Sequence, residues 1–210
     1  MDRAQVLVVA LVLLAGCGAE AEPAWTPVPD NQTSTFTPPH DQSEYREPEY
    51  PDVEKRSDIN VTQVERLVID EINYERGSRR LSTVVEDERL SNIGRNYSMT
   101  MGKHGFFSHT GWNGESFDDR MRTHEYHCPN GREILVKTAY DVPVESSQGG
   151  LTNITTKSDL AVEITKLWMS STEHKKAILL EGATTIGIGV HVTPDGTVYA
   201  TGIICTEQGR

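Results

Sequence analysis

Basic residues are scarce in this chain of 210 residues, which has 20 lysines and arginines against 31 aspartates and glutamates. The formal net charge of −11 argues against a nucleic acid or an anionic membrane surface as the main partner, because both would repel an acidic protein. Hydrophobic residues make up only 36% of the chain, too few for every segment to pack into a core. We therefore expect one folded domain together with a segment that stays outside it.

Long hydrophobic runs are also lacking. The longest, residues 6–14, follows Arg3 and is too short to span a bilayer, which is typical of an export signal. It leads into the tetrapeptide LAGC, ending at Cys17, which resembles a lipobox. We predict a signal peptide over residues 1–16 and a lipid on the Cys17 thiol, which would anchor the protein to a membrane without spanning it. The alternative is an ordinary signal peptide in which this cysteine occurs by chance.

Cysteine is rare, with three residues in the whole chain. If Cys17 carries a lipid, Cys128 and Cys205 remain. Outside the cell, two remaining cysteines favour a disulfide bond, and we expect one between them. The alternative is a pair of buried thiols.

Proline is concentrated near the start of the chain. Residues 18–57 contain seven of the ten prolines and nine acidic residues against three basic ones, with no hydrophobic periodicity. Such a composition cannot bury enough apolar surface to offset the loss of chain entropy. We predict a disordered, acidic, Pro/Thr-rich stalk over residues 17–57 and a single domain over residues 58–210.

Hydrophobic periodicity within the domain predicts five helices and three strands. The helices are expected at residues 61–77, capped by Asp58 or Asn60, and at residues 86–103, 117–123, 159–169 and 173–180, the last capped by Thr172. The strands are expected at residues 133–140, 185–192 and 198–205, with a polar loop at residues 148–157. Pro194, Asp195 and Gly196 supply a hairpin turn between the last two strands. These elements predict a three-layer α/β/α sandwich around a small, largely antiparallel sheet.

Several short motifs occur in a recognisable order between residues 61 and 205. They read INYER at residues 72–76, GFFSH at residues 105–109, Arg120-Met121, Glu133, WMSS at residues 168–171 followed by His174, and IGIG at residues 186–189. Their order and spacing resemble the CAP superfamily, which comprises cysteine-rich secretory proteins, antigen 5 and plant pathogenesis-related class 1 proteins. The short bacterial and archaeal branch is the most similar. The resemblance implies the same α/β/α fold and an exported protein.

The resemblance also implies a central cavity. It would contain His109, Glu133 and His174, with Ser108 and Glu115 at its wall and rim. The two histidines would be ligands for a divalent metal such as zinc, since imidazole is a common ligand for such ions. Without the resemblance, each histidine could equally be a structural or solvent-facing residue, and Glu133 an exposed acid at the start of a strand.

Two departures from the family pattern concern this cavity. The family has Gly-Glu-Asn where this chain has Arg132-Glu133-Ile134. The plant-type proteins have a second acidic residue at the position of Ser171, and Glu115 or Glu173 would have to replace it. The acidic set of the cavity is therefore incomplete by sequence.

Three functions are compatible with these residues. The first is a non-enzymatic cell-surface module that binds a small ligand, a lipid, a metal ion or an envelope component. The second is a metal-dependent hydrolase or protease with Glu133 as its base, and the third is a structural or adhesive envelope protein. The sequence favours binding, because no nucleophile occupies a recognisable strand–turn–helix elbow.

Glycosylation is a further expectation for an exported chain. Asn-x-Ser/Thr sequons occur at Asn31, Asn60 and Asn153, and at Asn96 within a predicted helix, where modification is least expected.

Overall fold

The order of helices and strands follows the predicted pattern closely. The computed structural model describes residues 59–128, 130–145 and 151–206. The helices are α1 (Val61–Gly77), α2 (Glu88–His104), α3 (Phe117–Thr123), α4 (Lys157–Ser170) and α5 (Thr172–Ile178). The strands are β1 (Val85–Glu86), β2 (Arg132–Ala139), β3 (Pro143–Glu145), β4 (Leu151–Asn153), β5 (Ala183–Val192) and β6 (Thr197–Thr206).

Four strands form the main sheet, in the order β1-β5-β6-β2. The pairs β5–β6 and β6–β2 are antiparallel, and only the two-residue strand β1 runs parallel to its neighbour β5. Strands β3 and β4 form a separate antiparallel pair. The predicted small, largely antiparallel sheet is confirmed.

Side chains alternate between the two faces of this sheet, as the pleat requires. On β6, Val198 and Ala200 pack into a core shared with helices α1, α4 and α5. The odd-numbered residues Tyr199 and Ile203 of the same strand pack on the opposite face against α2. Helices thus cover both faces, and the predicted α/β/α sandwich is confirmed.

Helix α2 lies directly against the backbone of β5. A Cβ atom added to Gly187 would collide with the backbone of Leu90, and one added to Gly189 would collide with the backbone of Gly94 and Arg95. Within the same contact, the Ser98 hydroxyl donates to the carbonyl of Gly189 at 2.9 Å. The glycines in the IGIG motif therefore set the distance between helix and sheet.

The edge of β5 beyond β1 is closed by side chains. The backbone N–H of Ile188 donates to Ser91 Oγ at 3.3 Å, and that of Val190 donates to Glu65 Oε1 at 2.9 Å. Glu65 is fully buried and also accepts two hydrogen bonds from Arg95, at 3.0 and 2.6 Å. Helices α1 and α2 are thereby joined across the edge of the sheet.

Two polar residues of the INYER motif have structural roles. Asn73 exchanges two hydrogen bonds with the backbone of Val84, at 3.0 and 2.8 Å. Arg76 is buried and donates to the carbonyls of Ser82 at 2.8 Å and Ile178 at 2.7 Å. Asn60 caps α1 through a bond from the N–H of Gln63, as one of the two predicted alternatives.

Three local predictions need correction. Helix α5 begins at Thr172 with Ser171 as its N-cap, and no side chain bonds to that helix end, so Thr172 is not a cap. The predicted polar loop at residues 148–157 contains β4, which pairs with β3 outside the main sheet. Strand β1 was not predicted. These strands have two or three residues each, too few to show a period-two pattern.

Several predictions concern residues outside the described ranges. These are the signal peptide at residues 1–16, the lipidated Cys17, the stalk at residues 17–57 and the sequon at Asn31. Asn60, Asn96 and Asn153 are described and exposed, and glycosylation at any of them stays a prediction. Within the described ranges, no helix is both long enough and apolar enough to cross a membrane.

The expected disulfide is present. Cys128, which follows α3, is bonded to Cys205 on β6, with their Cα atoms 5.3 Å apart and 77 positions of sequence between them. Because the bond joins distant parts of the chain, it restricts the unfolded state strongly.

We predict that Gly189→Ala destabilises the protein by more than about 4 kcal/mol, because its methyl group has no space against α2. Gly77→Ala is the matched control: nothing lies within 4 Å of the added Cβ atom, and alanine favours a helix by up to about 1 kcal/mol. Urea unfolding of both variants measures the difference. Equal midpoints for Gly189→Ala and the wild type would contradict the proposed contact.

Replacing Cys128 and Cys205 together by alanine should lower the free energy of unfolding by about 4 kcal/mol in the chain-entropy model. The double variant should then match the reduced wild-type protein in urea unfolding. If oxidised and reduced wild-type proteins unfold at the same urea concentration, the bond does not contribute as expected.

Candidate functional site

The end of helix α2 delivers His109 to the site. Gly105 ends the helix in the left-handed conformation, at φ +66°, and its N–H donates to the carbonyl of Met101. Phe106 and Phe107 then pack against the core on this face of the sheet, in contact with a cluster that includes Met101. The chain is held by these two rings, and His109 follows at the surface. The two rings thus seat the end of the helix in the core.

His109 contacts a buried carboxylate. Its Nδ1 lies 2.8 Å from Oε1 of Glu133, the second residue of β2. The Glu133 side chain is 3% exposed, whereas the His109 side chain is 42% exposed. Because the carboxylate accepts at Nδ1, the imidazole has a fixed orientation and its Nε2 is left for another partner.

Arg120 binds the second oxygen of the Glu133 carboxylate. Its Nη2 lies 2.6 Å from Oε2 of Glu133 and donates to the carbonyl of His109 at 3.0 Å. Its Nη1 donates to the carbonyl of Glu115 at 3.2 Å. The side chains of Arg120 and Glu133 are only 5% and 3% exposed, so the ion pair is shielded from solvent. One guanidinium therefore fixes both the carboxylate and the loop that carries the imidazole.

Tyr97 of α2 supports the same guanidinium. The Arg120 Cζ atom lies 3.4 Å from the centre of the Tyr97 ring. The phenol hydroxyl donates to the carbonyl of Ser108 at 2.6 Å. Burial is the main cause that raises the pKa of Tyr97 to about 12, so the phenol stays protonated and remains a donor at neutral pH.

His174 approaches the site from the first turn of α5. The residue is 8% exposed. Burial lowers the pKa of His174 below its ordinary value, and the charge of nearby His109 lowers it further. His174 is therefore a neutral imidazole at physiological pH. On the preceding turn, Trp168 Nε1 and Ser171 Oγ are buried polar atoms with no hydrogen-bond partner in the described part of the chain.

A divalent ion, which the resemblance implies, would have the imidazoles of His109 and His174 as its candidate ligands. Both oxygens of Glu133 are already engaged, by His109 and Arg120. A histidine that binds a metal commonly uses its other ring nitrogen to contact a carboxylate, which is the contact seen here. Glu133 thus has the position of a partner to His109 rather than of a ligand. In the ranges that the structure describes, no group of three or more His, Cys, Asp or Glu side chains is placed to hold a metal.

The other candidate residues contribute mostly through the backbone. Ser108 accepts from Tyr97 through its carbonyl, and its Oγ accepts from the N–H of Thr110 at 3.0 Å. Glu115 accepts from Arg120 through its carbonyl. Glu173 is exposed and paired with Lys176, so it does not replace the acidic residue missing at Ser171.

Arg120 belongs to one of the sequence motifs, but it was not predicted to be part of the site. A signal was available, because Arg120 lies beside Met121 and one turn after Phe117, on the apolar face of α3. A charged residue in that position must find a buried partner. The position of Tyr97 in the helical pattern of α2 predicts that its ring is buried. That pattern does not indicate what its hydroxyl contacts.

Comparison with known proteins gives consistent results. A family model described as the cysteine-rich secretory protein family, CAP, matches residues 69–206. A comparison with curated protein sequences gave no match.

Two solved structures share the fold. An extracellular protein containing a SCP domain from Bacillus anthracis is 19% identical with a TM-score of 0.54, and the match covers 70% of this chain and 41% of that one. An outer surface protein from Borrelia burgdorferi is 17% identical with a TM-score of 0.56, and the match covers 71% of this chain and 97% of that one. At these identities the likeness is one of fold.

We predict that Glu133→Gln lowers the free energy of unfolding by about 3 kcal/mol, because it leaves Arg120 as a buried charge without its counterion. Glu173→Gln is the matched control, since it breaks an ion pair with Lys176 that is exposed to solvent, and it should have no measurable effect. Urea unfolding of the two variants measures both. Equal effects would show that the Arg120–Glu133 pair is not shielded.

Proposed function

The chain belongs to the cysteine-rich secretory protein (CAP) family, and from this membership we propose that it is an exported binding module. A lipid on Cys17 would hold it at the extracellular face of the membrane. Its cleft, formed by His109, Glu133 and His174, would bind a metal ion, a small ligand, a lipid or an envelope component without catalysing a reaction. The acidic segment at residues 17–57 would separate the domain from the membrane surface.

The oriented imidazole of His109 is the observation that carries this proposal. Its Nδ1 is engaged by Glu133, which Arg120 holds in turn, while 42% of the His109 side chain is exposed. A fixed ring with one nitrogen left over is suited to a ligand that approaches from solvent. Because the supporting groups are buried, the site is organised before any ligand arrives.

The same contacts favour binding over hydrolysis. A general base needs a carboxylate oxygen within hydrogen-bond reach of the water or substrate proton. Both oxygens of Glu133 already have partners, and Arg120 is one of them. Ser108, which immediately precedes His109, accepts a backbone hydrogen bond and has no contact with the imidazole among the described bonds. The residues thus supply an anchor for a ligand, not an activated nucleophile.

Zinc is the probe that tests this site. The full-length chain should bind about one equivalent of zinc in a calorimetric titration, because His109 Nε2 and neutral His174 are suitable ligands. His109→Ala and His174→Ala should each weaken binding by at least about tenfold. His124→Ala removes an exposed histidine elsewhere and should leave binding unchanged.

Two outcomes would contradict the proposal. Zinc binding that survives His109→Ala, or no zinc binding at all, would contradict a metal-binding cleft. Cleavage of a peptide substrate by the zinc-loaded protein, lost in His109→Ala, would contradict the absence of catalysis and favour the hydrolase. Circular dichroism of each variant shows whether the fold is retained.

A further inference from the structure

A separate cavity lies beside the His/Glu cleft, between α2 and the loop that leads into α3. Its volume is about 210 Å³, enough for about seven water molecules or one ligand of the size of a single sugar ring. Lining residues include Asn96, Tyr97, Thr100, Trp112, Asn113 and Arg120. Neither His109 nor His174 lines it. Arg120, Tyr97 and Glu115 line the cavity and also belong to the contacts that support the cleft.

Arg120 forms part of the wall of this cavity. Its Nη atoms bond to Glu133 and to backbone carbonyls, but its buried Nε–H has no partner in the described part of the chain. Because this atom is closed to solvent, the polar groups that a ligand can meet are those of the exposed lining residues. Asn96 and Asn113 are both exposed and add amide groups that can donate and accept. The Oδ1 of Asn113 already accepts from the N–H of Glu115 at 3.1 Å, so its amide N–H groups are the ones left for a ligand.

Trp112 gives the cavity an aromatic wall. The residue is 63% exposed, which is unusual for so large an apolar side chain. Its indole stacks on the His104 ring, with the ring centres 4.6 Å apart and the planes 18° from parallel. The loop is held by the bonds Gly111 N–H to Glu115 O at 2.8 Å and Gly114 N–H to Gly111 O at 2.9 Å. The indole is therefore presented in a fixed position before a ligand binds.

The charges around the cavity favour a neutral ligand. Arg120 is already neutralised by Glu133, and the acidic residue Glu115 also lines the cavity. An anion would meet that carboxylate, and a cation would meet the guanidinium. The remaining polar groups are hydroxyls, amides and the imidazole of His124, which match hydroxyl groups on a ligand. The negative face of an indole attracts weakly positive C–H groups.

We propose that this cavity is a binding site for a neutral saccharide. One sugar ring would lie with its C–H face on Trp112 and its hydroxyls toward Asn96 and Asn113. The site is additional to the His/Glu cleft and does not depend on a metal there. An exported domain with such a site would attach to glycans of a cell envelope or of a neighbouring cell.

Neutral methyl glycosides of glucose, galactose, mannose and N-acetylglucosamine are the probes for this site. Each is titrated into the ¹⁵N-labelled full-length chain while the Trp112 indole signal is followed by NMR, with that signal assigned from Trp112→Ala. We expect at least one glycoside to shift it with a Kd of the order of 1 mM. Trp112→Ala should weaken binding of that glycoside by at least about tenfold, and Asn113→Ala by a smaller factor, as followed by backbone amide signals.

Two control variants separate this site from the rest of the molecule. Tyr74→Ala removes an aromatic residue of α1 that is 72% exposed and does not line the cavity, and it should leave the Kd unchanged. His109→Ala should also leave it unchanged, so failure of the His/Glu cleft would not affect this result. The proposal is wrong if no glycoside moves the Trp112 signal, or if Tyr74→Ala weakens binding as much as Trp112→Ala. It is also wrong if loss of Trp112 leaves the Kd unaltered.

Discussion

Backbone contact between α2 and β5 is the constraint on which the rest of the structure depends. Gly187 and Gly189 have no side chains, so the helix rests on the strand itself. Facing glycine and serine residues of α2 complete the contact, and the Ser98 hydroxyl bonds to both strands beneath it. A contact without side chains leaves little freedom to slide, because any shift brings backbone against backbone. The position of α2 is therefore fixed by packing at short range.

Helix α2 positions two of the groups around Glu133. Its C-terminal end sets where His109 leaves the core, and Tyr97 on its buried face supports Arg120. Glu133, on β2, contacts both His109 and Arg120 on the same face of the sheet. The carboxylate on β2 is thus contacted by the loop after α2 and by α3. The half-exposed His109 is the only member of this group that reaches solvent to any large extent. The buried members provide rigidity, and the exposed ring provides the means of recognition.

Much of the fold could be predicted because its local signals agree with its final packing. Helix α3 has the predicted bounds, and Ser116 caps it in a capping box with Asp119. The β5–β6 hairpin follows from alternation and its turn. That His109 and Glu133 lie in one cavity was predicted only through family resemblance, since 24 positions separate them, and their direct contact was not predicted. The part played by Arg120 was missed, because periodicity shows that a side chain is buried but not what it meets. Strand β1 was missed because two residues carry no pattern, and its pairing depends on β5 being in place.

The closed edge of β5 has a consequence for the behaviour of this domain at high local concentration. Open strand edges offer unpaired N–H and C=O groups to a second molecule and are common starting points for aggregation. Here the N–H groups of Ile188 and Val190 are already occupied by Ser91 and Glu65, and a buried charge at that edge would have to be uncovered before another strand could pair there. A domain crowded together with its own copies on a surface would thus resist polymerising through this side of its sheet.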